Sequence, residues 1–379
     1  MGSMRALLLA PRFFGAGQGD GVANSQIWPF YEYRRVLRRQ LGMDFVHRNA
    51  NTFRDIEAAV KLGIPADVLF VRPSWEESPA AAEKAMRVAR EAYPQAKIVF
   101  IDPFDQTSSR FFGVLPYVDW LLKYICLKDN ALYREPYEGG SYLTHRLARE
   151  FGYEVGNWHV GSPVPPGQES KIVPGWFAIP RDVVFMITRL GLPWALPWRR
   201  KDIDVCCHVS VNARDDMQWY GHLRKASIDE LRKLGDGYKL SINADFIGEP
   251  RISRKGYLDH MSRARIAFSP FGWGEVTGRS FEAVRFGSLY MTPDCSHVVV
   301  DPDMIQPHKT YVPVKWDYSD LNDACRHYLA HPEEADTIIR NARRVFVDYY
   351  RGSRFVDRIA ELVGSPRSEA LRSIRERVA

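Results

Sequence analysis

The sequence predicts an α/β protein made of two parallel-sheet domains joined by a hinge. Three observations carry that expectation. Short apolar runs alternate with segments of helical period along both halves of the 379-residue chain, and continuous apolar strands with helices between them belong to parallel sheets covered on both faces. The alternation restarts after residue 200. Between the halves, "GLPWALPWRRKD" at 191–202 concentrates proline and tryptophan and reads as a linker. Domains are therefore expected at 1–198 and 199–345, with helices at 346–379 returning toward the first.

In chain order, "RALLLAP" at 5–11 is a buried strand, followed by the glycine-rich "FGAGQGDG". Phe30, Tyr33, Leu37 and Leu41 fall on one helical face, and Gly42 stops that helix. "DFVHR" is a second strand, Thr52 caps a helix through Val60, and "DVLFVRP" is a third strand. Pro79 opens an alanine-rich helix to about Tyr93, and "KIVFIDP" is a fourth strand. In the second half, "DIDVCCHVSV", "YKLSI", "ARIAFSP" and "SLYMTP" are strands. Helices close at Leu234, surround 257–262, and follow near 318–330 and 332–350.

Composition is that of an ordinary globular chain, 45% hydrophobic and 26% charged. No uninterrupted apolar run approaches the ~18 residues of a membrane span, and no basic start followed by an apolar core marks a signal peptide. The five cysteines have no CxxC spacing. Cys206, Cys207 and His208 sit together in a core strand, where neighbours point to opposite faces and cannot readily share one zinc. Reduced thiols and a cytoplasmic location are expected. A net charge of +6 points to acidic partners such as nucleotides or anionic lipids. Nucleic acid is the weaker expectation, because no zinc-finger, RRM or KH pattern is present.

The most informative stretch is "SPFGWGEVTGRSFEAVRFGSLYMTPD", 269–294. It passes from a buried strand through a loop with Gly272, Gly274 and Gly278 to a helix starting near Arg279. Open amides at a helix N-terminus attract phosphate. Arg279 in the first turn supplies a forked donor suited to a diphosphate, and Glu282 lies on the same face, placed to accept ribose hydroxyls. The plainer alternative is that Arg279 and Glu282 pair with each other on a helix surface; spacing alone does not separate the two.

This segment resembles sugar-nucleotide glycosyltransferases of the GT-B architecture, most closely the exostosin-like and spore-maturation CgeB-like group. The signature is an R-x-x-E-A motif framed by glycines, standing here as Gly274, Glu275, Thr277, Gly278, Arg279, Glu282 and Ala283, then Gly287. The likeness runs from about 203 to 359. "GHLRKASIDELRKL" resembles the first helix of such domains, with Arg224 at a recurrent arginine position. The resemblance implies two Rossmann-like domains facing each other across a cleft, with a nucleoside diphosphate sugar on the second. Gly274, Glu275, Thr277, Gly278, Arg279, Glu282, Arg214 and Arg224 would be donor-binding, with Glu275 reaching the sugar. Six residues separate Glu275 from Glu282, one fewer than retaining enzymes of this architecture carry, and no lysine follows Arg214 at their usual distance. The stereochemical outcome therefore stays open.

On the acceptor side, an inverting transferase needs a general base within reach of the attacking hydroxyl. Asp20, Asp102 and Asp105 follow strand ends, and a turn or cap role is the alternative for each. Asp20, Asp105 and Glu275 are the catalytic candidates. Trp194 and Trp198 beside Arg199, Arg200 and Lys201 suit either a lipid headgroup interface at the inner face of a membrane or an aromatic hinge. The expected activity is transfer of a hexose-like sugar to a saccharide or lipid-linked acceptor in polysaccharide or glycoconjugate synthesis. No cofactor or metal is expected, because the chain shows no DxD triplet placed to hold one. A non-catalytic sugar- or nucleotide-binding protein on the same scaffold is the alternative.

Overall fold

A computed structural model describes residues 3–13, 21–177, 179–189, 200–211, 218–244 and 252–365. Asp20, Arg214, most of the glycine-rich segment at 14–21 and the linker residues through Arg199, with Trp194 and Trp198, lie outside the described residues. The chain divides into two compact units. The first comprises Met1–Pro136, Val160–Arg181 and Tyr349–Ala379; the second comprises Tyr137–His159 and Asp182–Asp348.

In the first unit, β1 (Met4–Ala10), β2 (Met43–Asn49), β3 (Val68–Val71), β4 (Lys97–Ile101) and β5 (Trp120–Lys123) form a parallel sheet with β7 (Ile172–Pro174); β6 (Cys126–Leu127) is a two-residue strand outside it. The order is β2-β1-β3-β4-β5-β7. Leu7, Leu8 and Leu9 are all buried, as are Val68 to Val71, so both sheet faces are covered, as continuous apolar runs require. Thr52 and Asp55 form a reciprocal capping box at the helix Phe53–Lys61. The helix expected through Phe30 and Leu41 is instead two, Gly21–Glu32 and Arg34–Leu41, meeting at Tyr33. Gly42 ends the second at φ 64°, the left-handed conformation that favours glycine.

The C-terminal helix Arg354–Val363 belongs to this unit. Phe355 meets Phe30 and Trp176 edge-on at 5.2 and 4.7 Å, and the Trp120 indole donates to the Leu362 carbonyl at 3.0 Å.

The second unit holds β8 (Ile203–Val209), β9 (Leu240–Ala244), β10 (Ala264–Phe268), β11 (Leu289–Pro293), the short β12 (Val298–Val299) and β13 (Val312–Val314). Five of these strands form a parallel sheet ordered β13-β11-β10-β8-β9. Residues 137–159, expected in the first domain, pack here instead. Arg146 lies 4.2 Å over the Trp316 ring, Tyr142 stacks on His297 at 4.8 Å, and Trp158 meets Trp273 at 5.2 Å. Aromatic burial far along the chain decides the placement.

Lys201 ties the start of this unit to its interior. Its ammonium donates to the carbonyls of Ala264 and Phe286 and to Ser288 Oγ, at 2.7, 2.9 and 3.0 Å. Burial lowers its pKa to about 8. All five cysteines are buried free thiols. Among the described residues, no helix is long and apolar enough to cross a membrane.

Candidate functional site

Strand β10 ends at Phe268, and the chain runs through the glycine-containing loop into the helix Arg279–Phe286. Gly278 is its N-cap, exposed, with no side-chain cap. A β-carbon built there meets nothing within 4 Å. The amides of Ser280, Phe281 and Glu282 turn back to Thr277 and Gly278 carbonyls. Among the described residues, the amides of Thr277, Gly278 and Arg279 have no protein acceptor. The helix end is open and lined with donors, the arrangement that attracts an anion.

Two guanidinium groups lie behind this end. Arg279 donates through Nη1 to Ser269 Oγ at 3.2 Å and through Nη2 to the His208 carbonyl. Arg224, 5% exposed, donates through Nε to the Phe271 carbonyl and through Nη1 to the Ser210 carbonyl, at 3.1 and 2.8 Å. It also covers the Tyr220 ring at 3.9 Å. Both arginines are held at the ends of adjacent strands, β8 and β10, Arg224 by two carbonyls and Arg279 by a carbonyl and a hydroxyl. Neither has a carboxylate within ion-pair distance among the described residues.

Burial lowers the Arg224 pKa to about 10, with Arg279 adding to it and Tyr220, Cys207 and Tyr318 opposing. At ~1.4 kcal/mol per unit, that is a penalty on the order of 3 kcal/mol, which a bound anion would offset. For Arg279 burial acts in the same direction, but Tyr257, Cys207 and Glu282 outweigh it and raise the pKa.

Glu282 does not pair with Arg279. Its Oε2 accepts a short hydrogen bond from the Tyr257 hydroxyl on the helix Arg254–Arg263. Tyr257 in turn has its pKa raised, first by burial and then by Glu282. Beside it, His208 Nε2 lies 3.1 Å from Ser241 Oγ and 3.2 Å from His260 Nδ1. Burial, His260 and Arg279 push the His208 pKa down to about 4, so its imidazole is neutral at pH 7.

The loop itself is compact. Ser269 and Thr277 hydroxyls meet at 3.1 Å, and the Gly272 amide donates to the Gly274 carbonyl at 3.0 Å. A β-carbon at Gly272 would stand 3.3 Å from the Thr277 methyl and 3.5 Å from Arg224 Nη2, so glycine there permits the close approach. Gly274, Thr277, Gly278, Arg279 and Arg224 thus share one end of the second sheet, with Glu282 one turn into the helix.

Glu275 faces inward. It is fully buried, with Oε1 3.6 Å from His297 Nε2, and its carbonyl accepts from Cys295 Sγ at 3.7 Å. In this conformation it anchors the loop and offers no surface to a sugar.

In the first unit, Asp102 is fully buried and bound by Lys123 Nζ at 2.5 Å and Ser109 Oγ at 2.6 Å. Burial raises its pKa against the pull of Lys123. It is a core ion pair, not an exposed general base. Asp105, half-buried, follows the same strand. Tyr257, His208 and Ser269 were not apparent as site residues from the sequence. Each acts through a contact many residues away, and only the placement of Ser269 at a strand end hinted at it.

Comparison with known proteins bears on this geometry. Residues 219–361 match the family described as glycosyl transferase-like. No curated protein matches the chain in sequence. Among solved structures, an alpha-glucosyltransferase in complex with UDP and a 13-mer DNA containing a HMU base is similar at TM-score 0.51 and 10% identity, over 96% of this chain and 100% of that one. A glycosyltransferase from Rickettsia africae ESF-5 is similar at TM-score 0.52 and 12% identity, over 96% and 98%. The chain therefore has the α/β fold of these GT-B glycosyltransferases, and its residues 219–361 match the glycosyl transferase-like family.

Proposed function

We propose that the protein is a glycosyltransferase that takes a sugar from a nucleoside diphosphate sugar bound by the second unit. The carrying observation is the pair of guanidinium groups, buried Arg224 and half-buried Arg279, with no carboxylate in ion-pair range among the described residues, beside three open amides at a helix N-terminus. Such a site favours a compact dianion, and as the sugar–phosphate bond breaks, negative charge grows on the leaving diphosphate. The amides of Thr277, Gly278 and Arg279 bind that charge, and the arginines stabilise it from behind. Glu282, held by Tyr257, accepts the ribose hydroxyls.

The acceptor is a saccharide or lipid-linked saccharide on the first unit. Asp105 or Asp20 would remove its hydroxyl proton if the reaction inverts configuration. The similar alpha-glucosyltransferase was solved with UDP and DNA. UDP is accordingly the first nucleotide to try, while a match at that identity supports the fold and does not extend to the DNA.

Thermal-shift measurement against UDP, GDP, dTDP and CMP derivatives tests the donor class. One diphosphate should raise the midpoint, with the logarithm of its concentration over its Kd, and Arg279→Ala should abolish the shift. Slow hydrolysis of the matching sugar nucleotide should accompany it. Stabilisation without any hydrolysis or transfer would favour the non-catalytic binding protein, and no stabilisation by any diphosphate would overturn the proposal.

A further inference from the structure

Away from the donor site, one group of side chains is unused by the reading above. The sequence "HYLAHPEE" carries His327 and His331 one turn apart, followed by Glu334. His327 lies in the last turn of the helix Leu321–Ala330, His331 is its C-cap, and Glu334 is in the first turn of the helix Pro332–Arg351. Pro332 fixes the corner between them. Among the described residues this is the single trio of His, Cys, Asp or Glu whose ligand atoms lie together, all within 4.8 Å of one another.

We infer that His327, His331 and Glu334 form a surface site for a divalent transition-metal ion of the zinc type. The two imidazoles stack at 4.4 Å and 26°. His331 Nδ1 lies 2.8 Å from the His327 carbonyl. A carbonyl only accepts, so Nδ1 carries the hydrogen, and in the neutral ring the lone pair stands on Nε2. A backbone hydrogen bond of this kind fixes the tautomer in many metal-ligating histidines.

His327 Nε2 lies 2.9 Å from Glu334 Oε2, which likewise makes it the donor. A metal ion takes the place of that one proton, which leaves for solvent or the other ring nitrogen. Zinc bonds of about 2.0–2.2 Å require donors roughly 3.5 Å apart in a tetrahedron. The present spread thus closes by rotation of exposed side chains. Two imidazoles and a carboxylate suit Zn²⁺, Ni²⁺ or Cu²⁺ better than Ca²⁺ or Mg²⁺. Three protein ligands leave a fourth position for water, and the ion would clip two helices at their corner.

The test is calorimetric titration of Zn²⁺ into the chelator-treated full-length protein, with thermal unfolding in parallel. One saturable site and a raised midpoint are expected. His327→Ala and His331→Ala should each weaken binding at least about tenfold, and Glu334→Gln by a smaller factor. All three side chains are exposed, so the variants should fold as wild type. Substituting Co²⁺ distinguishes the ligands: a spectrum without thiolate charge-transfer bands is expected. Absence of saturable binding, unchanged affinity in the double histidine variant, or thiolate bands from a buried cysteine would overturn the inference.

Discussion

Gly278→Asp separates stability from ligand binding at the proposed donor site. Gly278 has φ −57° and ψ −16°, which any L-residue adopts, and a β-carbon there meets nothing within 4 Å. A carboxylate at the N-terminus of the helix interacts favourably with its dipole, by about 0.3–1 kcal/mol. Replacing glycine also reduces the freedom of the unfolded chain, by about 0.4–1 kcal/mol. The variant should therefore unfold at a slightly higher urea concentration than wild type. Binding should move the opposite way. A fixed negative charge about 5 Å from a phosphate costs roughly 1.7–3.3 kcal/mol at an effective dielectric of 40 to 20. That is a rise in Kd between roughly twentyfold and three-hundredfold. Isothermal titration with the diphosphate that stabilises wild type reads the second effect, and equilibrium urea unfolding reads the first. Unchanged affinity in a folded variant would refute the helix-end site, and a clear loss of stability would refute the claim that the helix end is open.

Three further outcomes follow from the packing. Lys201→Met should destabilise the second unit by about 2–4 kcal/mol, because the Phe286 carbonyl loses its bond to the buried ammonium; a urea midpoint equal to wild type would contradict this. Asp102→Asn should leave Lys123 buried without its counter-charge and cost about 3–5 kcal/mol; a stable variant with selectively lost turnover would instead return Asp102 to a catalytic role. His208 has a folded-state pKa near 4, below the ordinary histidine value of about 6.5. The unfolded chain therefore binds the extra proton first, and stability falls as pH drops from about 6.5 to 4, by up to ~1.4 kcal/mol per pH unit. His208→Gln should flatten urea-midpoint curves over that window, and an unchanged slope would count against a buried neutral imidazole.

Much of this architecture was readable from local pattern. The strands with uninterrupted apolar runs formed where expected, because burial on both faces leaves one composition to choose from. Thr52 and Gly42 acted as caps through their own side-chain and backbone chemistry. The strands that escaped notice are short and lie at or near sheet edges. Pro174 in β7 and Pro313 in β13 argue against strand when read locally, yet edge strands tolerate proline. The placement of residues 137–159 depends on Tyr142, Arg146 and Trp158 finding aromatic partners more than sixty residues away, which no local period encodes.

At the site, the glycines, Arg279 and Glu282 were visible as a motif, whereas the partner of Glu282 was not. Spacing offered Arg279; the structure gives Tyr257, 25 residues away. The resemblance implied a Glu275 reaching the sugar, but the loop folds its carboxylate inward toward His297.

The most direct test is a crystal structure of the protein with the nucleoside diphosphate that gives the largest thermal shift. Phosphate oxygens should lie about 2.7–3.2 Å from the amides of Thr277, Gly278 or Arg279, with the ribose hydroxyls at Glu282. A diphosphate bound elsewhere, with this helix end still empty, would contradict the account.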